Sequence, residues 1–190
     1  MSATAGSLRL TIPENWYDLS VADEAAENAV VRRLRDACAD TGIGEQPAAR
    51  LADFARRSLR AARRSGVLHV AGTFELHEGR PLVAIVVAAL ITPPANADLL
   101  DALTEHRSGS GTWTRVSAVR LDGIGEAARV HGVQDVVLDD TTRRCAVMHT
   151  LIRVPGRPQV LVITGTSPDF TEADALFDLF DRITATAVLR

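Results

Sequence analysis

Lysine is absent from the 190 residues, and all 21 basic side chains are arginines. A phosphate-binding loop of the GxxxxGK[ST] type requires a lysine, and so does an enzyme that forms a Schiff base with its substrate. Both kinds of site are therefore excluded. Together with the many alanines, the use of arginine indicates a GC-rich genome and hence a high-GC bacterium, since arginine and alanine codons can be rich in G and C.

Cysteines are also few, and no stretch is apolar enough to span a membrane as a helix. Cys38 falls in a helical pattern and Cys145 in a strand pattern, so we expect two buried free thiols. The most apolar stretch, Pro81–Ile91, has ten apolar residues after the proline, whereas a membrane-spanning helix needs about 20. The first residues, MSATAGSLRLTIP, lack a basic region followed by an apolar one. We therefore expect no secretory signal and a cytoplasmic location.

The stretch Pro81–Ile91 predicts the centre of the fold. It is apolar on both faces of a strand, so neither face can lie against water. Val160–Gly165 has the same property and is expected beside it. Short glycine-containing connections between the other predicted strands indicate antiparallel neighbours. The predicted fold class is α+β: an α/β/α sandwich with a central, mainly antiparallel sheet covered by helices on both faces, in a single domain over residues 1–190.

Three amphipathic helices are predicted to supply the covering layers. The first begins after Asp23, whose side chain is suited to cap it, and the second runs from Pro47 to about Ser65. These two form an insertion over about residues 23–65. The third helix is predicted over Thr171–Leu189. Its inward positions are Leu176, Phe177, Phe180, Ile183 and Ala187.

Arginines cluster on one face of the second helix. The stripe opposite the apolar face is formed by Arg50, Arg57, Arg60 and Arg64. One interpretation is a solvated face whose ionic partners are acids elsewhere, for example Asp174, Asp178 and Asp181 of the last helix. The other interpretation is a surface that docks an acidic partner. The net charge of −3 and the lack of aromatic residues between the arginines argue against nucleic acid as that partner.

Scattered histidines are the remaining candidates for chemistry. His69, His131 and His149 fall on three predicted strands and can converge only if those strands are neighbours in a suitable register. Cys145 and His149 are four residues apart on one strand, so their Cα atoms are about 13 Å apart, too far to share one metal ion. We predict no catalytic residue, no cofactor and no metal.

The order of parts resembles a known superfamily. The proline-to-tryptophan turn IPENW, the meander of strands and the ending VLVITGTSPDF before an amphipathic helix are similar to the PsbP-like α/β/α sandwich superfamily. The similarity is greatest to a set of actinobacterial proteins of undetermined function, in which a helical insertion follows the first tryptophan. The superfamily has no shared catalytic residues, and its characterised members act mainly in binding or assembly. The resemblance therefore favours a binding or assembly protein over an enzyme.

Together these observations predict a non-enzymatic binding or assembly module, with secretion as one process in which it would act. The expected partner is another protein or a second copy of the chain, and the arginine face of the second helix is the candidate surface for docking it. The alternative is a small hydrolase or metal-dependent enzyme that uses the strand histidines.

Overall fold

A computed structural model describes residues 8–20, 23–40, 44–46, 48–49, 52, 56, 67–77, 80–93, 114–138, 141–168 and 171–189. Strands dominate these residues. The helices with defined ends are α1 (Glu24–Asp40) and α2 (Ala173–Ala185). The strands are β1 (Leu8–Arg9), β2 (Tyr17–Asp18), β3 (Val67–His77), β4 (Arg80–Ile91), β5 (Thr114–Leu121), β6 (Gly125–Leu138), β7 (Thr141–Arg153), β8 (Val160–Ser167) and β9 (Val188–Leu189).

Seven strands form one sheet in the order β2-β3-β4-β8-β7-β6-β5, and every pair of neighbours is antiparallel. The hairpin β3–β4 and the meander β5–β8 are joined where β4 pairs with β8, from Ile85↔Thr166 to Ile91↔Val160. The two strands that are apolar on both faces therefore lie side by side inside the sheet, which confirms the prediction for them. Burying both faces requires this inner position.

Glycines form the tight turns of the meander. Gly123 and Gly125 have φ angles of 74° and 107° between β5 and β6, and Gly156 has a φ of 71° between β7 and β8. Left-handed backbone of this kind is costly for residues with a Cβ atom. The structure therefore confirms the turns predicted at Asp122-Gly123 and Pro155-Gly156.

Helix α2 packs on one face of the sheet, against β6, β7 and β8. Its residues Leu176, Phe177, Phe180 and Ile183 are all buried, as predicted. The helix approaches the sheet closely because β8 presents a glycine at the contact: a Cβ atom on Gly165 would lie 2.3 Å from Cγ of Phe180. The ring of Phe180 thus occupies the space that any larger side chain at residue 165 would need.

The helix cover differs from the prediction. The described residues give a sheet-dominated α+β fold, not a sandwich covered by helices on both faces. Among them, α2 is the helix that packs extensively on the sheet. Helix α1 contacts the helical residues that follow it: Oε1 of Glu27 lies 3.8 Å from Nε of Arg56 and forms an ion pair with it. Two consecutive amphipathic helices can bury apolar stripes against each other, so their periodicity does not by itself require contact with a sheet.

The last helix is shorter than predicted. It ends at Ala185, and Val188–Leu189 forms β9, which pairs with β1 through Leu8↔Leu189 and Arg9↔Val188. The hydroxyl of Thr186 accepts a hydrogen bond from the Thr11 N–H at 2.8 Å and lies 2.7 Å from the Ile183 carbonyl. The prediction extended the helical period to Leu189 because strand pairing with a segment more than 170 residues away leaves no local signal.

Helix α1 begins as expected, because Oδ1 of Asp23 accepts the N–H of Ala26 at 2.8 Å. Trp16 follows the proline turn, closed by a 3.0 Å bond from its N–H to the Pro13 carbonyl, and is buried in the core. Cys38 and Cys145 are buried free thiols, as predicted. No helix in the described part of the chain is long and apolar enough to cross a bilayer.

Candidate functional site

A cavity of about 430 Å³ lies between α2 and the strands β5–β7. Its described lining residues are Arg115, Arg129, His131, Met148, Asp174, Phe177, Asp178 and Asp181. We call it the α2 cavity. Its volume is within the range of pockets that hold small molecules in proteins.

The strand register explains the floor of the α2 cavity. Arg115 lies opposite His131, and His131 lies opposite Met148, so these three side chains form one row across β5, β6 and β7. Arg129 is two residues before His131 on β6 and shares its face. Strand alternation therefore directs two arginines and a histidine toward α2, on the face that forms the core elsewhere.

Arg129 is a buried cation that is only partly satisfied. The residue is 6% exposed. Its Nε donates to Oγ1 of Thr150 at 3.2 Å, and its Nη1 forms a hydrogen-bonded ion pair with Asp181 of α2. Its Nη2 is buried and has no hydrogen-bond partner among the described residues. An unused buried donor of this kind destabilises the folded state.

His131 forms the second polar point of the floor. Its ring centroid is 4.7 Å from that of Phe177, at an interplanar angle of 41°. Its Nδ1 is buried without a hydrogen-bond partner in the described residues. Burial lowers the pKa of His131 below its usual 6.5 and the charges of Arg115 and Arg129 lower it further, while Asp174 and Asp181 act in the opposite direction. The imidazole is therefore held neutral near pH 7.

The wall of the α2 cavity is acidic. Asp174, Asp178 and Asp181 are spaced by four and three residues, so they lie along one face of α2, and all three are exposed. The cavity thus has cationic groups on its sheet side and carboxylates on its helix side. This arrangement can bind and orient a charged molecule.

The three strand histidines do not converge. His131 lies opposite Met148, whereas His149 lies opposite Val130, so the two rings are on opposite faces of the sheet. His69 is on β3, which β4 and β8 separate from β7. Oγ1 of Thr164 lies 2.9 Å from Nδ1 of His149. Among the described residues no group of three or more histidine, cysteine or acidic side chains could hold a metal ion.

His69 belongs instead to a second polar cluster, at the β2 edge. Its Nδ1 is 3.0 Å from Oγ of Ser20, and that oxygen also accepts the Val70 N–H at 3.0 Å. A serine nucleophile needs a base that is itself oriented by an acid. Here Asp18 accepts the N–H of Ser20 at 2.8 Å, so the carboxylate orients the backbone at Ser20. The cluster holds the segment after β2 against β3.

Asp18 has a perturbed pKa in this cluster. Burial acts to raise it, but hydrogen bonds from Ser20 and the nearby positive charges bring the pKa below the usual 3.8. The carboxylate is therefore ionised, in keeping with its role as an acceptor.

The predicted docking face lies outside the described residues: Arg50, Arg57, Arg60 and Arg64. Of the acids expected to pair with those arginines, Asp181 binds Arg129 of the sheet. The sequence-based reasoning missed Arg129. The alternation of the strand carried a signal for it. One face of β6 presents Ala127, Arg129, His131 and Val133, and the apolar residues at the two ends of this row are buried. A charged residue at an inward position of a strand indicates a satisfied or functional group.

Comparison with known proteins gives a likeness of fold. No protein-family model matches the chain, and no curated protein matches it. Among solved structures, the chain is similar to LpqN, described as involved in cell envelope biogenesis of Mycobacterium tuberculosis, with 13% identity and a TM-score of 0.50 over 97% of this chain and 84% of that one. The shared fold is thus that of a mycobacterial cell envelope protein.

Proposed function

We propose that this chain is a non-enzymatic binding module that holds a small molecule in the α2 cavity and serves as an accessory protein. The observation that carries the proposal is the α2 cavity itself, which places the guanidinium of Arg129 and the ring of His131 opposite the carboxylates of α2. None of the described lining residues is a serine, threonine or cysteine. The described lining thus contains groups that bind and orient a ligand and no nucleophile of the hydroxyl or thiol type.

The likeness to LpqN supports a role in the cell envelope of a high-GC bacterium. That protein is described as involved in envelope biogenesis, and this chain shares its fold along almost its whole length. An accessory protein of this kind would capture or present a small molecule and leave it unchanged. Membership of the PsbP-like superfamily is a further part of the proposal, and the proline-to-tryptophan turn that buries Trp16 supports it.

The function can be tested with ligand-observed NMR on a broad set of small envelope precursors and metabolites. We expect at least one compound to bind and to be recovered chemically unchanged after prolonged incubation. The variant Asp178→Trp places a large side chain at the rim of the α2 cavity and should abolish that binding. The matched control is Ala175→Trp, because Ala175 is exposed on the same helix and is not among the cavity residues.

Two results would contradict the proposal. Binding that survives Asp178→Trp would show that the α2 cavity is not the site. Multiple turnovers of a compound, lost in the same variant, would instead establish the hydrolase alternative.

A protein partner is a separate part of the proposal. The arginine face of Arg50, Arg57, Arg60 and Arg64 is proposed to dock an acidic protein surface, in a second copy of the chain or in another protein. The cytoplasmic location expected from the sequence stays a prediction. Cell fractionation followed by immunoblotting tests it against the envelope role.

A further inference from the structure

We propose that the outer edge of β5 docks an acidic segment of another protein, which pairs with β5 as a further antiparallel strand of the sheet. The segment carries acidic side chains opposite Arg115 and Arg120. In strand addition of this kind, the backbone of the exposed edge provides affinity and the side-chain pairs provide specificity. This surface is separate from the arginine face of the second helix, and its use does not depend on a ligand in the α2 cavity.

The two edges of the seven-stranded sheet differ in length. One edge is β2, which has only two residues. The other is β5, which has eight residues, contains no proline and pairs with β6 without a register shift from Thr114↔Gly132 to Leu121↔Gly125. Half of the N–H and C=O groups of such a strand point away from its neighbour, and no described strand lies on that side of β5. A long, regular edge of this form is a template for another strand.

The charges at this edge favour an acidic partner. Arg115 and Arg120 are exposed, and because they are five residues apart they extend from opposite faces of β5. Glu126 lies opposite Arg120 on β6, and Arg115 lines the α2 cavity together with Asp174, but neither arginine forms an ion pair with a described residue. An added strand places one residue directly opposite each arginine, where an acidic side chain gives a favourable cross-strand pair.

A second copy of the chain fits this edge less well than an acidic strand does. In the antiparallel register that pairs all eight residues of two β5 strands, Arg115 of each copy would face Arg120 of the other. Like charges directly opposite each other destabilise a pair of strands. The four side chains between the two arginines carry no charge, so the arginines decide which strands are accepted. The occupant is therefore a different chain, with acids at the two positions that face them.

The probe is a synthetic acidic peptide, TEVTTVET, which matches the eight residues of β5 and places its glutamates opposite Arg120 and Arg115 in the antiparallel register. By calorimetry we expect a Kd of about 0.1 mM or tighter. The outward amides of β5 should exchange more slowly with solvent when the acidic peptide is bound. A peptide with lysine in place of both glutamates should bind at least about 10-fold more weakly, because two favourable cross-strand pairs become repulsive.

Two N-methylated forms of the acidic peptide test the backbone pairing. One form carries methyl groups on the amide nitrogens of alternate residues, and the other carries them on the remaining residues. Because a strand in an antiparallel pair bonds its neighbour through every second residue, only one of the two forms should lose binding. Loss of binding in both forms, or in neither, would overturn strand addition.

A charge reversal on the protein tests the register. Arg120→Glu should weaken binding of the acidic peptide about 5-fold, and lysine at the second position of the peptide should restore it. The matched control is Arg153→Glu, because Arg153 is an exposed arginine of β7, two strands inside the β5 edge. If Arg120→Glu does not fold, the lysine and N-methylated peptides still decide the question with the natural protein.

The remaining outcomes all overturn the acidic strand partner. These are no binding of the acidic peptide, equal binding of the lysine peptide, and protection of amides elsewhere without protection in β5. If the β5 amides become protected as the natural protein is concentrated without peptide, the occupant is a second copy of the chain. None of these results bears on small-molecule binding in the α2 cavity, which Asp178→Trp tests separately.

Discussion

Gly165 lies directly beneath the ring of Phe180, and this contact sets the distance between α2 and the sheet. Because an added Cβ atom would lie 2.3 Å from Cγ of Phe180, we expect Gly165→Ala to lower the free energy of unfolding by about 3 kcal/mol. Urea denaturation measures the loss. Gly156→Ala is a contrasting variant: its Cβ would meet nothing within 4 Å, but its φ is 71°, and left-handed backbone costs about 1–2 kcal/mol.

The contact itself can be verified with a double variant. If the clash with Phe180 causes the loss, Gly165→Ala and Phe180→Ala together should destabilise by less than the sum of the two single changes. Additive effects would show that Gly165 is required for another reason.

His131 makes stability depend on pH. Its pKa is lowered in the folded protein, chiefly by burial, so the folded state disfavours the protonated form. Above the usual value of 6.5 both the folded and the unfolded states are neutral at this residue. As the pH falls through 6.5, the unfolded state binds the proton first, and the free energy of unfolding decreases.

This decrease is measurable by denaturation at about pH 7.5 and about pH 5.5, with His131→Phe as the comparison. The variant keeps an aromatic ring beside Phe177 but cannot titrate, so it should lose less stability over this range than the natural protein. An identical loss in both proteins would assign the pH dependence to other groups.

At the scale of elements, Thr186 joins the end of α2 to the start of the chain. Its hydroxyl accepts the Thr11 N–H and is within 2.7 Å of the Ile183 carbonyl. We expect Thr186→Ala to lower the free energy of unfolding by about 1 kcal/mol. Thr186→Ser retains the hydroxyl and should lose less.

Hydrogen exchange locates the effect. The Thr11 amide should exchange faster in Thr186→Ala than in Thr186→Ser, because its acceptor is gone. Equal exchange rates in the two variants would mean that the β1–β9 pairing protects this amide without the hydroxyl.

At the scale of the whole molecule, the arginine face predicts self-association. If a second copy of the chain is the partner, sedimentation should show a dimer that weakens as salt is added, because the contact is ionic. The double variant Arg57→Glu/Arg60→Glu should be monomeric with an unchanged melting temperature, if these arginines lie on the surface as the sequence predicts, since surface ion pairs contribute only about 0–1 kcal/mol to stability. Arg182→Glu, at an exposed arginine of α2, is the control. A monomeric natural protein would exclude the homodimer and leave a different acidic protein as the partner.

The sequence by itself determined the sheet. Pro81–Ile91 and Val160–Gly165 are apolar on both faces, and this local pattern predicts inner positions in the sheet, which β4 and β8 occupy. The antiparallel meander was predictable from turn glycines such as Gly123 and Gly156. A tight turn needs a residue that adopts a positive φ, and the glycine that supplies it is visible in the local sequence. That the chain is a single domain with an insertion over about residues 23–65 stays a prediction.

Only the tertiary structure decided the site. Arg129 and Asp181 are 52 residues apart and pair because α2 crosses β6, and no periodicity records which partner a charged side chain will meet. The β1–β9 pairing and the separation of His131 from His149 by the sheet depend likewise on long-range register. Local patterns specify which face of an element is buried, whereas a cavity depends on how two elements pack, and that is set by contacts such as Phe180 on Gly165.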